Sequence, residues 1–142
     1  MNLPVPASIE HKGKTYRVPP LGLSELLEHA KWLRDSYMAE ANRQMVGLPV
    51  EIAKQTWIVA RQEADAIRLG SKEYRDVVFH YESLIYALWL SLKEQTVGME
   101  TIKAMFAEDL NNITNITCEA LGYVQPDPTK PAEPAQNTNQ KQ

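Results

Sequence analysis

The side chains that could carry a reaction are His11, His29, His80, Cys118 and a few closely spaced carboxylates. A di-iron carboxylate bundle places a Glu three residues before a His on each of two helices. The positions three before these histidines hold Ser8, Leu26 and Val77. The chain has no HExxH, no pair of cysteines and no glycine-rich phosphate loop. A nucleophilic thiol needs a neighbour that favours the thiolate. Cys118 has Thr117 and Glu119 beside it and lies near an apolar stripe, which reads as a buried structural thiol. Glu63 and Asp65 are two residues apart and so point to different sides of a helix, and Glu108-Asp109 reads as a solvated helix edge. His80, inside Phe79-His80-Tyr81, reads as a satisfied core or edge histidine. These residues predict no catalytic set, no metal site and no cofactor.

Charge and composition narrow the function further. The formal net charge of -3 provides no basic footprint for nucleic acid. The one basic cluster, Lys12, Lys14 and Arg17 beside Glu10, reads as the solvated tip of a hairpin. Residues 1–6 have no basic lead into an apolar run, as a signal peptide would. The longest apolar-rich run, residues 84–92, is about half of the roughly 20 residues that a membrane span requires. With one cysteine no internal disulfide forms, which suits a reducing compartment. The expectation is a cytosolic protein with no membrane partner. On it the glycosylation patterns at Asn112-Ile113-Thr114 and Asn115-Ile116-Thr117 go unused.

The elements that would position these residues begin with a β-hairpin. Residues 9–11 and 14–18 flank Lys12-Gly13, a two-residue turn that sets Ile9 opposite Tyr16. Pro19-Pro20 ends the second strand. A first helix follows over about residues 23–45, with Ser24 as the expected N-cap and Leu26, Ala30, Leu33, Tyr37, Ala41 and Met45 on one face. A second helix runs between Pro49 and Gly70, its inward stripe Ala53, Trp57, Ala60, Ala64 and Ile67, with Arg61 and Asp65 spaced for a surface ion pair. The third and longest is expected over about residues 72–95, capped by Ser71. Its inward face holds Tyr74, Val77, Val78, Tyr81, Leu84, Ile85, Leu88 and Leu92, and further apolar residues place it at the centre of the fold. A short fourth helix over residues 99–110 turns Ile102, Met105, Phe106 and Leu110 inward. Residues 112–121, poor in helix formers, keep the helical period through Ile113, Ile116, Ala120 and Leu121 and stop at Gly122.

The composition changes after residue 124. Residues 125–142 hold Pro126, Pro128, Pro131 and Pro134, no aromatic residue, and otherwise polar side chains or alanine. Such a segment buries too little to offset its ordering entropy. The fold predicted is mainly α: an N-terminal β-hairpin, then a bundle of four to five helices, forming one domain over residues 1–124, with a disordered proline-rich tail over residues 125–142.

The run Ile9-Glu10-His11-Lys12-Gly13-Lys14-Thr15-Tyr16-Arg17-Val18-Pro19-Pro20-Leu21, with the helix start Leu23-Ser24-Glu25-Leu26-Leu27, resembles the tail assembly chaperones of long-tailed bacteriophages. The helix start at Gly98-Met99-Glu100-Thr101-Ile102 and the ending Ala120-Leu121-Gly122-Tyr123 are similar to that family as well. The resemblance covers about residues 7–124. It implies a protein of the host cytoplasm that binds the apolar tape measure protein and helps tail tube subunits polymerise around it, without catalysis. It further implies that a longer frameshifted form could exist, in which the polar tail is a connector.

Trp32 leaves the stripe of its helix, and exposed tryptophan is enriched at interfaces. Together with Tyr37 and the adaptable thioether of Met38, it marks the candidate protein-binding surface. The alternative reading is a structural neck or tail-completion protein of the virion. A chaperone should be monomeric or a weak homo-oligomer, whereas a virion part should form a ring and persist in particles. A helix-turn-helix regulator would need a polar recognition helix, which the apolar third helix is not.

Overall fold

The computed structural model describes residues 7–123. Residues 1–6, read as free of a signal peptide, and the tail assigned to residues 125–142 lie outside the described residues. Strands β1 (Ala7–His11) and β2 (Lys14–Val18) pair antiparallel in the expected register, Ile9 opposite Tyr16. Lys12 and Gly13 both take positive φ, 51° and 75°, the geometry whose twist matches a two-residue hairpin. Six helices follow: α1 (Leu23–Gln44), α2 (Val50–Asp65), α3 (Lys72–Val78), α4 (Tyr81–Leu92), α5 (Met99–Glu108) and α6 (Leu110–Ala120). The fold is mainly α with an N-terminal hairpin.

Helix α4 is the centre. Leu84, Ile85, Ala87, Leu88, Leu90 and Leu92 are all buried, and α1, α3, α5, α6 and β2 pack around it. The hairpin lies on this body through Ile9 and Val18. It is also tied down by polar bonds. Gln95 imitates a strand edge, accepting from the Arg17 N–H at 3.2 Å and donating to the Arg17 carbonyl at 2.6 Å. Ser91 Oγ donates to the Pro19 carbonyl at 2.8 Å, and the Leu21 N–H donates to the Ala120 carbonyl at 2.9 Å. A two-stranded ribbon that is marginal alone is thus held by packing and by side chains of the α4 end.

Three local features differ from the sequence expectation. The N-cap of α1 is Gly22, not Ser24: the Glu25 carboxylate folds back to accept the Gly22 N–H at 3.0 Å. The long third helix is two helices, broken at Phe79-His80, where His80 is extended (ψ 149°) and caps α4. The cause is Ser83, whose hydroxyl takes the Val78 carbonyl at 2.8 Å, an acceptor that a continuous helix would give to a backbone N–H. The break turns Tyr81 outward to 49% exposure, although the helical period placed it inward. Leu110, also expected inward, is 53% exposed, because α5 stops at Glu108 and Asp109 (φ -150°, ψ 66°) redirects the chain.

Other signals act as read. Ser71 Oγ accepts the Tyr74 N–H at 3.0 Å and the Arg68 N–H at 3.1 Å and donates to the Ala66 carbonyl at 3.0 Å, so one hydroxyl joins the end of α2 to the start of α3. Helix α6 forms despite its Asn and Thr content, with Ile113, Thr117 and Cys118 buried. It ends in a Schellman motif in which the Tyr123 N–H reaches the Cys118 carbonyl at 2.8 Å and Gly122, at φ 95°, supplies the left-handed residue.

Candidate partner-binding surface

Helix α2 packs chiefly on α1, and the two form an arm beside the body. Only Ala60 and Ala64 of α2 are fully buried, the small side chains that let α1 approach. At about 100° per residue, Ile52 and Val59 fall on one flank of that alanine line and Val50 and Trp57 on the other. The apolar arc therefore covers roughly half the helix circumference, wider than one neighbouring helix can cover. Its flanks are left open: Val59 is 50% exposed, Ile52 52% and Val50 72%. Val46 and Leu48, in the α1–α2 connection, extend this apolar surface around the tip of the arm. Trp57, expected in the core of helix two, is instead 45% exposed on the arm. Isolated apolar residues on a surface are ordinary, but here both flanks of one helix carry them.

A groove of about 520 Å³ runs between the two helices, floored by Ala41 and Ala60, with Val59 on its wall and Glu40 and Glu63 at its edges. The Tyr37 hydroxyl crosses it to donate to the Glu63 carboxylate, and that bond raises the phenol's pKa above its ordinary value. Arg61 and Asp65 form the expected surface pair at 3.3 Å.

The three residues proposed from sequence lie on α1, and all three are half-buried. Trp32 does not stand out from the surface. It stacks on Tyr86 at 4.6 Å between ring centroids with planes 9° apart, and Tyr86 continues to Trp89 at 5.6 Å. Trp32 and Tyr37 share a second groove of about 590 Å³, walled on its far side by Val77 and Tyr81 at the α3–α4 break. Met38 is not a wall of either groove. The sequence reading missed the flanks of α2. Their signal was present, as Val50, Ile52, Ile58 and Val59 all lie off the alanine stripe.

The titratable groups are dispersed. His29 is fully buried where α1, α3 and α4 meet, its Nδ1 3.2 Å from the Tyr74 hydroxyl and its Nε2 2.9 Å from Ser83 Oγ and 3.1 Å from the Ser83 carbonyl. The Ser83 hydroxyl gives its proton to Val78, so Nε2 donates and Nδ1 accepts from Tyr74. Burial pushes the His29 pKa down to about 4 and pushes the Tyr74 phenol up. His11 is buried against Glu108 at 3.1 Å, whereas His80 is exposed at the helix break. Cys118 is buried on α6. Among the described residues no three His, Cys, Asp or Glu side chains converge in a way that could hold a metal, and no helix is long and apolar enough to cross a membrane.

Compared with known proteins, the chain matches no family model, no curated protein and no solved structure.

Proposed function

We propose that this chain is a phage tail assembly chaperone that holds apolar helices of the tape measure protein while tail tube subunits assemble. The observation that carries the reading is the α2 arc, of which α1 covers only the central alanine line. A client helix laid against Ile52 and Val59 would complete a three-helix packing and remove its own apolar face from water. Full burial of one Val or Ile side chain contributes about 1.5–3 kcal/mol, so the exposed parts of a few such residues give a total of several kcal/mol. After the costs of association, that suits a reversible hold. The hairpin resemblance names the client, and the arm offers a surface with the chemistry such a client needs.

The test is co-expression with the tape measure protein of the same genome. The wild-type chain should yield a soluble complex, and Ile52→Asp with Val59→Asp should lose it while keeping the melting temperature. Equal solubility of the tape measure protein with and without this chain would overturn the reading. Recovery of this chain as a stoichiometric part of purified particles would point to the neck or tail-completion alternative.

A further inference from the structure

The groove between α1 and α2 has an apolar floor and an acidic rim. Ala41 and Ala60 lie at its floor and Val59 on its wall, and among the described residues the charged side chains that line it are Glu40 and Glu63. Helix geometry accounts for the bias. At about 100° per residue, Glu63 falls roughly 80° to one side of the line of Ala60 and Ala64, the side of Ile52 and Val59. Arg61 and Lys54 fall about as far to the other side, with Val50 and Trp57. The cations of α2 are thus carried on the flank away from the groove.

Both rim charges are open to a partner. Glu63 is exposed and accepts the Tyr37 hydroxyl, a neutral donor, and it forms no ion pair among the described residues. Glu40 is paired with Arg43 one turn along α1, where the two side chains are 53% and 74% exposed. An exposed pair at this spacing contributes little and is readily exchanged. A helix whose apolar ridge enters the groove brings its flanking positions over Glu40 on the α1 side and Glu63 on the α2 side. Acidic flanks would meet like charge there, whereas Lys or Arg would compensate both carboxylates. The long stems of those side chains would add apolar contact on Val59 while their heads stayed at the wet rim.

We propose that the groove selects a basic amphipathic helix, one whose apolar ridge lies on Ala41, Val59 and Ala60 and whose flanking Lys or Arg side chains reach Glu40 and Glu63. This selectivity rests on the arm being the client-holding surface proposed above. It narrows the segments of a client that the arm takes, from any apolar helix to those with basic flanks. Rim charges of this kind act on partner choice and encounter rate more than on the strength of the hold.

Two synthetic helical peptides test the selectivity on the full-length chain. They share one ridge of leucine and alanine and carry either Lys or Glu at every flanking position. Fluorescence anisotropy at low salt should give the Lys peptide a Kd about tenfold lower than the Glu peptide. Glu40→Gln with Glu63→Gln should abolish most of that preference, and Glu40→Lys with Glu63→Lys should reverse it. A net charge of -3 attracts any cationic peptide, so the control is Glu94→Gln with Glu119→Gln, which removes the same charge from exposed positions on the body and should keep the preference. All four glutamates are exposed, so unchanged melting temperatures are expected throughout. Equal loss of preference in the rim and control variants would overturn the proposal, as would equal binding of the two peptides or binding of neither. The peptides carry no phage sequence. Loss of the preference with capture of the tape measure protein intact would therefore overturn the selectivity and leave the chaperone reading standing. A preference that follows the rim charges without such capture would uphold the groove chemistry and overturn the identity of the client.

Discussion

Helices α4 and α2 are both rich in apolar residues, and they meet opposite fates. Six apolar side chains of α4 are buried on all sides, and its neighbours come from both ends of the described chain. Helix α2 buries two alanines and leaves Val50, Ile52, Trp57, Ile58 and Val59 about half in water or more. The contrast shows that hydrophobic content sets how much surface a helix needs to cover, while topology decides whether this chain can cover it. Helix α4 is satisfied from within. The arm has spare apolar surface, and there a second molecule would gain most.

Mutations should therefore divide along the same line. The largest effect belongs to the centre: Leu88→Ala removes a side chain with no exposure and should cost about 2–5 kcal/mol in denaturant melts. A cost under half a kcal/mol would mean that α4 is not the element around which the rest condenses.

The next effect is pH-dependent and comes from the body as well. His29 has a folded pKa of about 4 against an ordinary value of 6.5, so the unfolded chain binds the extra proton more readily. Its contribution to stability is complete above pH 6.5 and is lost as pH falls through that window toward 4. The shift corresponds to a loss on the order of 3 kcal/mol across the window. Urea melts between these pH values should show that slope in the wild type and a much weaker one in His29→Gln. Parallel slopes would mean that the ring is not held neutral by its site. Helix α2 holds no histidine, so the slope carried by the imidazole belongs to the body.

The junction between the two regions should respond less. Ser71 bonds to Arg68 and Ala66 behind it and to Tyr74 ahead. Ser71→Ala should cost about 1–2 kcal/mol, and Ser71→Asp, which keeps the acceptor at the helix start, should recover part of it. Equal losses for both would show that the donated bond to Ala66, not the cap, is what matters.

Local chemistry explains which of these features could be read from sequence. The hairpin register, the Ser71 cap and the Gly122 stop follow from a few adjacent residues, and all were legible. The break at His80 was not, because it depends on Ser83 capturing a carbonyl five residues back while accepting from His29, 54 residues away in the chain. Trp57, Tyr81 and Leu110 were placed inward for one shared reason. Periodicity identifies the stripe of a helix but cannot say over what length a neighbour covers it. The same limit applies to the site: Trp32 was legible as off its stripe, but its stacking on Tyr86 brings together residues from two distant helices. The open flanks of α2 could be seen only once α1 was known to be its chief neighbour.

The smallest stability effect is expected where the functional effect is largest. Ile52→Ser and Val59→Ser each replace a side chain that is at least half exposed, and surface changes of this kind usually stay within about 0.5 kcal/mol. Serine removes the apolar contact without adding a charge, so a loss of client capture cannot be assigned to repulsion. Since the alanine line between α1 and α2 is untouched, the arm should keep its circular dichroism and its melting temperature. The double variant should nevertheless fail to keep an apolar client helix soluble in co-expression. If the variants instead unfold by several kcal/mol, these residues are covered by this chain itself, and the distinction between a self-satisfied body and an unsatisfied arm collapses. If they neither unfold nor lose the client, the distinction survives, but the client lies elsewhere on the chain, with the groove beside Trp32 as the next surface to mutate.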